Sequence, residues 1–130
     1  MSGLIIGDTS SASRIQDVHG AAGASEWKCF ARRSWLRGDW EAVEWARIPP
    51  GGISGEHLHS RTEEVYFILS GRGEILLDGV ATEVGPGDVI LTGLGTTHGL
   101  RAIGEESVSW LVVEVSSPAT AAVLRQERRP

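Results

Sequence analysis

The sequence predicts an all-β fold, a barrel or sandwich built from many short strands. Three observations carry this expectation. About eight apolar, β-prone runs recur at a spacing of ~8–12 residues, each closed by a turn signal. Glycine supplies seventeen of 130 residues, roughly twice the usual ~7% share. With five prolines and no Gly-X-Y period, the glycines act as punctuation between strands rather than as a fibrous repeat. The pair Asp78-Gly79 lies between two apolar runs, where a type I′ turn needs positive φ at both central residues.

The elements follow in order. Residues 2–26 are rich in Ser, Ala, Gly and Asp with no sustained period, and read as a loosely draped N-terminal arm over residues 1–26. The first strands are Trp27–Leu36 and Glu41–Ile48. In the second, Val43, Trp45 and Arg47 share one face, and Glu44, Ala46 and Ile48 the other. Pro49-Pro50-Gly51-Gly52 stops it, because proline lacks the N–H a strand ladder needs. Glu64–Ser70 is strongly β-prone and ends at Gly71-Arg72-Gly73. Glu74–Leu77 and Val80–Val84 flank the Asp78-Gly79 turn, and Gly85-Pro86-Gly87-Asp88 makes the next turn. Val89–Thr92, Gly99–Ile103 and Val108–Val115 complete the strands, the last two joined by Gly104-Glu105-Glu106-Ser107. Ser117-Pro118 opens a short helix through Gln126, with serine at the N-cap and proline at the first helical position.

Length and composition bound the function. A chain of 130 residues is one domain, large enough for a core without disulfides. The expected organisation is the arm over 1–26, one barrel over 27–117, and a tail or short helix over 118–130. Cys29 has no cysteine partner in the chain, so this is not a disulfide scaffold. The net charge of -5 argues against nucleic-acid binding through phosphate contacts. No apolar run approaches the ~20 residues of a membrane span, and no signal-peptide pattern opens the chain. A cytoplasmic protein with neither membrane nor nucleic-acid partners is the expectation.

The chemistry lies in three of the four histidines. His57 and His59 are separated by one residue, so an extended chain puts both on one face. Glu64 opens the next strand and His98 lies at a later strand–loop boundary. Three neutral imidazoles and one carboxylate suit a first-row transition metal with room for water or substrate. His19 sits in the arm, outside this pattern.

The glycines around these residues complete a recognisable pattern. Gly51-x(5)-His57-x-His59-x(4)-Glu64-x(6)-Gly71 resembles the first motif of the cupin family, and Gly87-x(5) continuing through x-Gly95-x(2)-His98 resembles the second. The match spans roughly residues 41–116. The resemblance implies a jelly-roll barrel, the double-stranded β-helix, with one divalent transition metal ion inside it (iron, manganese, nickel, copper or zinc) held by His57, His59, Glu64 and His98. Two positions depart: Gly93 where the family usually has proline, and Ala102 where it usually has asparagine. Neither removes a ligand; both bear on positioning. Glu63 competes with Glu64. Counting back six residues from Gly71 selects Glu64, and strand alternation then turns Glu63 outward and Tyr66 and Ile68 inward.

Around the metal, Tyr66 is the candidate proton handler, since no further histidine lies near the motifs. It also reads as barrel filler. Arg47 could clamp a substrate carboxylate or be a surface charge. Arg47, Tyr66 and Ile68 are the candidate substrate contacts, in a barrel lined mostly by apolar residues such as Leu77 and Leu100. Trp27, Trp35, Trp40 and Trp45 could line the pocket mouth, cover a subunit interface or pack the core. The function expected is that of a metal-dependent enzyme acting on a small organic molecule by oxidative, dioxygenase-type chemistry. The alternatives are a non-catalytic small-molecule or metal-binding module, and a non-oxidative lyase, isomerase or cyclase. Uncovered strand edges and the tryptophan-rich N-terminal strands point to a homodimer.

Overall fold

The computed structural model describes residues 8–10, 12–16, 24–35, 38–59 and 61–127, with Gln16, Ala24, Glu56, His57 and His59 described by their backbone alone. His19, Leu36 and the tail residues Arg128 and Arg129 lie outside the described residues. Among the described residues, ten strands and one helix follow in order: β1 Ser13–Gln16, β2 Ala24–Arg32, β3 Trp40–Ile48, β4 Ile53–His59, β5 Thr62–Ser70, β6 Gly73–Leu77, β7 Val80–Val84, β8 Val89–Thr92, β9 Thr96–Ala102, β10 Val108–Ser116 and α1 Pro118–Glu127. They form two antiparallel sheets, one ordered β1-β2-β3-β10-β5-β8 and the other β4-β9-β6-β7. Two facing antiparallel sheets with crossing connections make the jelly roll. Among the described residues no helix is long and apolar enough to cross a membrane.

Alternation within the strands builds the core between the sheets. Ile48 of β3, Tyr66 and Ile68 of β5, Ile75 of β6, Leu100 of β9, and Val108, Trp110 and Val112 of β10 pack into one buried cluster. Ile68 and Val108 are completely buried. Each large inward aliphatic side chain contributes roughly 1.5–3 kcal/mol of burial free energy. The Asp78-Gly79 turn has the geometry its sequence requires, with φ of 48° and 81°. It is also tied to β9, because Thr97 donates its N–H to Asp78 Oδ1 at 2.9 Å and Asp78 donates its own to Thr97 O at 2.8 Å. The hairpin thereby fixes the residue next to His98. At the far end, Ser117 Oγ accepts the Thr120 N–H at 3.2 Å, capping α1 as the Ser-Pro pair predicts.

Several expectations differ from the structure. The segment bearing His57 and His59 is itself a strand, β4, rather than a lead-in to one. Its apolar alternation is broken by Ser54 and Gly55, so pairing with β9 makes it a strand where propensity does not. β9 begins at Thr96, which places His98 inside the strand and not at its boundary. The first long strand is β2, Ala24–Arg32, three residues earlier than Trp27–Leu36 and with turn geometry following from Arg33. Within the segment read as an arm, Ser13–Gln16 pairs with Ala24–Trp27. A four-residue, mostly polar edge strand carries too little pattern to be seen in sequence.

Candidate functional site

β5 presents Thr62, Glu64, Tyr66 and Ile68 to the interior, all buried, and leaves Glu63 exposed. Its partner strand β8 turns Thr92 and Ile90 the same way. From the opposite sheet β9 brings His98, which is fully buried. His98 Nε2 lies 3.0 Å from Glu64 Oε2 and 2.9 Å from the Tyr66 hydroxyl. Which atom donates depends on the imidazole tautomer. The Tyr66 ring meets the imidazole edge-on, with centroids 5.5 Å apart at 87°, and stacks on Trp110 at 6.3 Å.

The backbone register of β4 sets the other two histidines. His57 is directly opposite His98, Leu58 opposite Thr97 and His59 opposite Thr96. Cross-strand partners share a face and alternate residues share a face, so positions 57, 59 and 98 fall on one face of the four-stranded sheet. Leu58, on the other face, is exposed. Of the four candidate ligands, Glu64 and His98 are those whose side chains are described, and they meet.

The donor set fits a transition metal. A buried imidazole nitrogen and a carboxylate oxygen 3.0 Å apart are donor types that a first-row transition metal takes, and His98 and Glu64 would be the side chains to hold such an ion. The departures from the family motif leave this intact. The turn before β9 is held by Thr96, whose Oγ1 and N–H reach Gly93 O at 2.7 and 3.4 Å. Ala102 is buried, and its N–H reaches Gly52 O at 2.9 Å.

Beside this centre, mainly against the six-stranded sheet, is a cavity of about 400 Å³. Its wall includes Trp27, Glu44, Glu64, Tyr66, Trp110 and Glu114. The lining is mostly apolar, as expected, but Trp27, Ala46, Ile48, Trp110 and Val112 supply it with Tyr66, rather than Ile68, Leu77 and Leu100, and four glutamates, Glu26, Glu44, Glu64 and Glu114, stand in it. Glu114 stands opposite Glu64 across the β10–β5 pair, and the two carboxyl groups share a hydrogen bond. Burial, that hydrogen bond and the neighbouring Glu64 charge raise the Glu114 pKa to about 9. Burial also raises that of Glu44, opposed by the Trp27 indole N–H, which donates to Glu44 Oε2 at 2.9 Å. Burial and then the Glu64 charge push the Tyr66 hydroxyl well above its ordinary range, so it is a protonated hydrogen-bonding group at neutral pH.

Glu44 and Glu114 were not among the residues singled out from sequence. A signal was present for both: Glu44 shares a face with Ala46 and Ile48, and Glu114 is the one charge in the run Val108–Val115. Of the other candidates, Ile68 is sealed in the core. Arg47 lies on the outer face of β3, ion-paired with Glu26 and 5.7 Å over the Trp45 ring. It lines a separate cleft with Arg14 and does not face the barrel cavity. Trp27 lines that cavity, Trp45 is buried on the outer face, and Trp35 and Trp40 are exposed.

Comparison with known proteins agrees with this architecture. An oxalate-binding protein from Thermotoga maritima is 27% identical over 100 residues, covering 77% of this chain and 83% of that protein. A crystal structure of a predicted oxalate decarboxylase from Thermotoga maritima superposes with a TM-score of 0.81 at 24% identity, over 88% of this chain and 99% of the other. A polyketide cyclase from Streptomyces resistomycificus superposes with a TM-score of 0.70 at 21% identity, over 88% and 82% of the two chains. At those identities the two structures speak to the fold alone. The family model for the cupin domain matches residues 44–114, from the strand that carries Glu44 to the residue opposite Glu64. That match covers more than half of the sequence and both histidine-bearing strands, and the chain belongs to the cupin family.

Proposed function

We propose that this protein is a metal-dependent enzyme acting on a small organic molecule inside the barrel, with His57, His59, Glu64 and His98 holding one divalent transition metal ion. The observation that carries the reading is the meeting of His98 Nε2 and Glu64 Oε2 at 3.0 Å in a buried pocket, with His57 directly opposite His98 in the backbone register. Bound there, iron, manganese, nickel or copper supplies a redox centre and zinc a Lewis acid. The oxidative, dioxygenase-type reaction is the form proposed, because no histidine beyond the proposed metal ligands is among the described cavity-lining residues to serve as a general base.

The chain's own residues do the rest. The cavity of about 400 Å³ is within the range that encloses a small organic ligand. Trp27 and Trp110 exclude water along its apolar wall. Tyr66, kept protonated by burial, holds a proton 2.9 Å from His98 Nε2 and can donate it to an oxygen or nitrogen of the ligand.

A second reading, a non-catalytic binding module, is favoured by the likeness to the oxalate-binding protein. The two readings part on turnover. Oxygen consumption by iron-loaded protein with candidate substrates supports the first; tight binding without any conversion supports the second. A lyase, isomerase or cyclase would convert substrate without consuming oxygen.

The ligand assignment is tested by comparing Glu64→Ala with Glu63→Ala. Glu64→Ala is expected to lose metal and Glu63→Ala to keep it. Equal retention by both variants overturns the assignment.

We also propose a homodimer. The outer face of the six-stranded sheet exposes Phe67 (39%), Leu69 (43%), Val89 (58%) and Leu91 (73%) on the adjacent strands β5 and β8. A contiguous apolar patch on a sheet face, next to an open edge strand, is the kind of surface a second copy covers.

A further inference from the structure

The family model begins at residue 44, but the cavity wall begins earlier in the chain. Ile15, Ser25, Glu26 and Trp27 also line it. They lie on β1 and β2, the pair that carries the six-stranded sheet on beyond β3. In the register Trp27 stands opposite Ala46 of β3, and Ala46 stands opposite Trp110 of β10. Cross-strand partners share a face, and all three residues line the cavity. The row across the sheet thus reads large, small, large. Trp27 is held in it by its indole N–H, which donates to Glu44 Oε2 at 2.9 Å. Trp110 is held by burial in the core and by its stacking on Tyr66. Ala46 between them is only partly buried, so its methyl group is the floor of a notch.

We propose that this notch is the specificity-determining part of the cavity, and that the ligand is a small molecule built on a single six-membered ring, laid over Ala46 between the two indoles. The inference rests on the reading of the barrel as a small-molecule site and names the class of molecule it takes. Neighbouring strands are about 4.8 Å apart, which puts β2 and β10 about 10 Å apart. Packed rings settle with centroids about 4.5–7 Å from each other, so one ring fits between side chains rising from those two strands. Along β3 the same-face neighbours of Ala46 are Glu44 and Ile48, which also line the cavity. Each is about 6.6 Å away and carries a longer side chain than alanine. The notch is therefore closed on four sides, and a fused pair of rings overruns it. Trp27 sets the limit on the side that the family domain does not supply.

The test uses two uncharged alcohols that do not chelate metal, benzyl alcohol and 1-naphthalenemethanol. The larger is the more hydrophobic, so a preference for the smaller reports shape and not apolar area. Calorimetry at neutral pH follows both on the full chain, metal-free and zinc-loaded, with bound metal measured separately. The expected result is millimolar binding of benzyl alcohol, about tenfold tighter than that of the larger alcohol. Trp27→Ala opens one side of the notch and is expected to abolish or reverse the preference. Ala46→Leu fills the notch and is expected to weaken benzyl alcohol binding about tenfold. Trp27→Phe and Ala46→Val serve where the first variants fail to fold, with smaller effects in the same directions. Equal or tighter binding of the larger alcohol by the wild type, no binding of benzyl alcohol at millimolar concentration, or unchanged binding in the folded variants overturns the proposal. A chain that retains no metal counts against the metal centre alone, and the order of the two alcohols on metal-free protein still decides the proposal.

Discussion

Three polar atoms meet at the bottom of the barrel: Glu64 Oε2, His98 Nε2 and the Tyr66 hydroxyl. All three residues were readable from sequence: His98 from the second motif, and Glu64 and Tyr66 because counting from Gly71 and alternating along the strand turns them inward and Glu63 outward. Glu114 was not, for a physical reason. Alternation assigns a residue to a face of its own strand and says nothing of which strand lies beside it, and Glu114 meets Glu64 only through the β10–β5 pairing. That pairing has a measurable consequence. The Glu114 pKa is raised from 4.5 to about 9 in the folded chain, so between those values the folded state binds more protons than the unfolded one. Its contribution to stability is fully present below about 4.5 and is lost as pH rises through about 9. Glu44 is shifted in the same direction. Urea unfolding of metal-free protein at pH 5.5 and 8.5 is expected to show lower stability at the higher pH. Glu114→Gln should remove much of that slope and be the more stable protein at pH 8.5. An identical slope in wild type and variant contradicts the account of this pair.

At the level of elements, turns were more legible than strands. Asp78-Gly79 encodes its positive φ values in the residues themselves, and the structure has them. β4 was invisible because Ser54 and Gly55 leave it no period, and the register with β9 makes it a strand. Gly71, which ends β5, is constrained in two ways. Its φ is +78°, and an added Cβ would stand 2.1 Å from Ser107 O. Gly79 has a similar φ of +81°, with nothing within 4 Å of an added Cβ. Gly79→Ala is therefore expected to cost about 1 kcal/mol, the backbone strain alone. Gly71→Ala should cost more than about 2 kcal/mol, because the turn after β5 and the loop before β10 must separate. Chemical denaturation of the two variants measures the difference, and equal costs would contradict the close approach at Gly71.

For the whole molecule, two sheets enclose the core and the glutamate-lined cavity, and each sheet has an outward face. The outer face of β5 and β8, where Phe67, Leu69, Val89 and Leu91 are exposed, is the surface proposed for a second copy. Sedimentation at micromolar concentration is expected to show a dimer that Leu91→Glu converts to monomer. A monomeric wild type contradicts the assignment of this face. The sequence showed that these strands are apolar, but exposure of Leu91 and Phe67 follows from the face of the six-stranded sheet they occupy, opposite to buried Tyr66 and Ile90, which strand pairing decides. The central claim, that the barrel is built around one metal ion, is tested most directly by elemental mass spectrometry on tag-free protein beside its His57→Ala variant. The account predicts about one transition metal ion per chain in the wild type and its loss in the variant. A folded wild type that carries no metal and takes up none when iron, manganese, nickel, copper or zinc is supplied would contradict it.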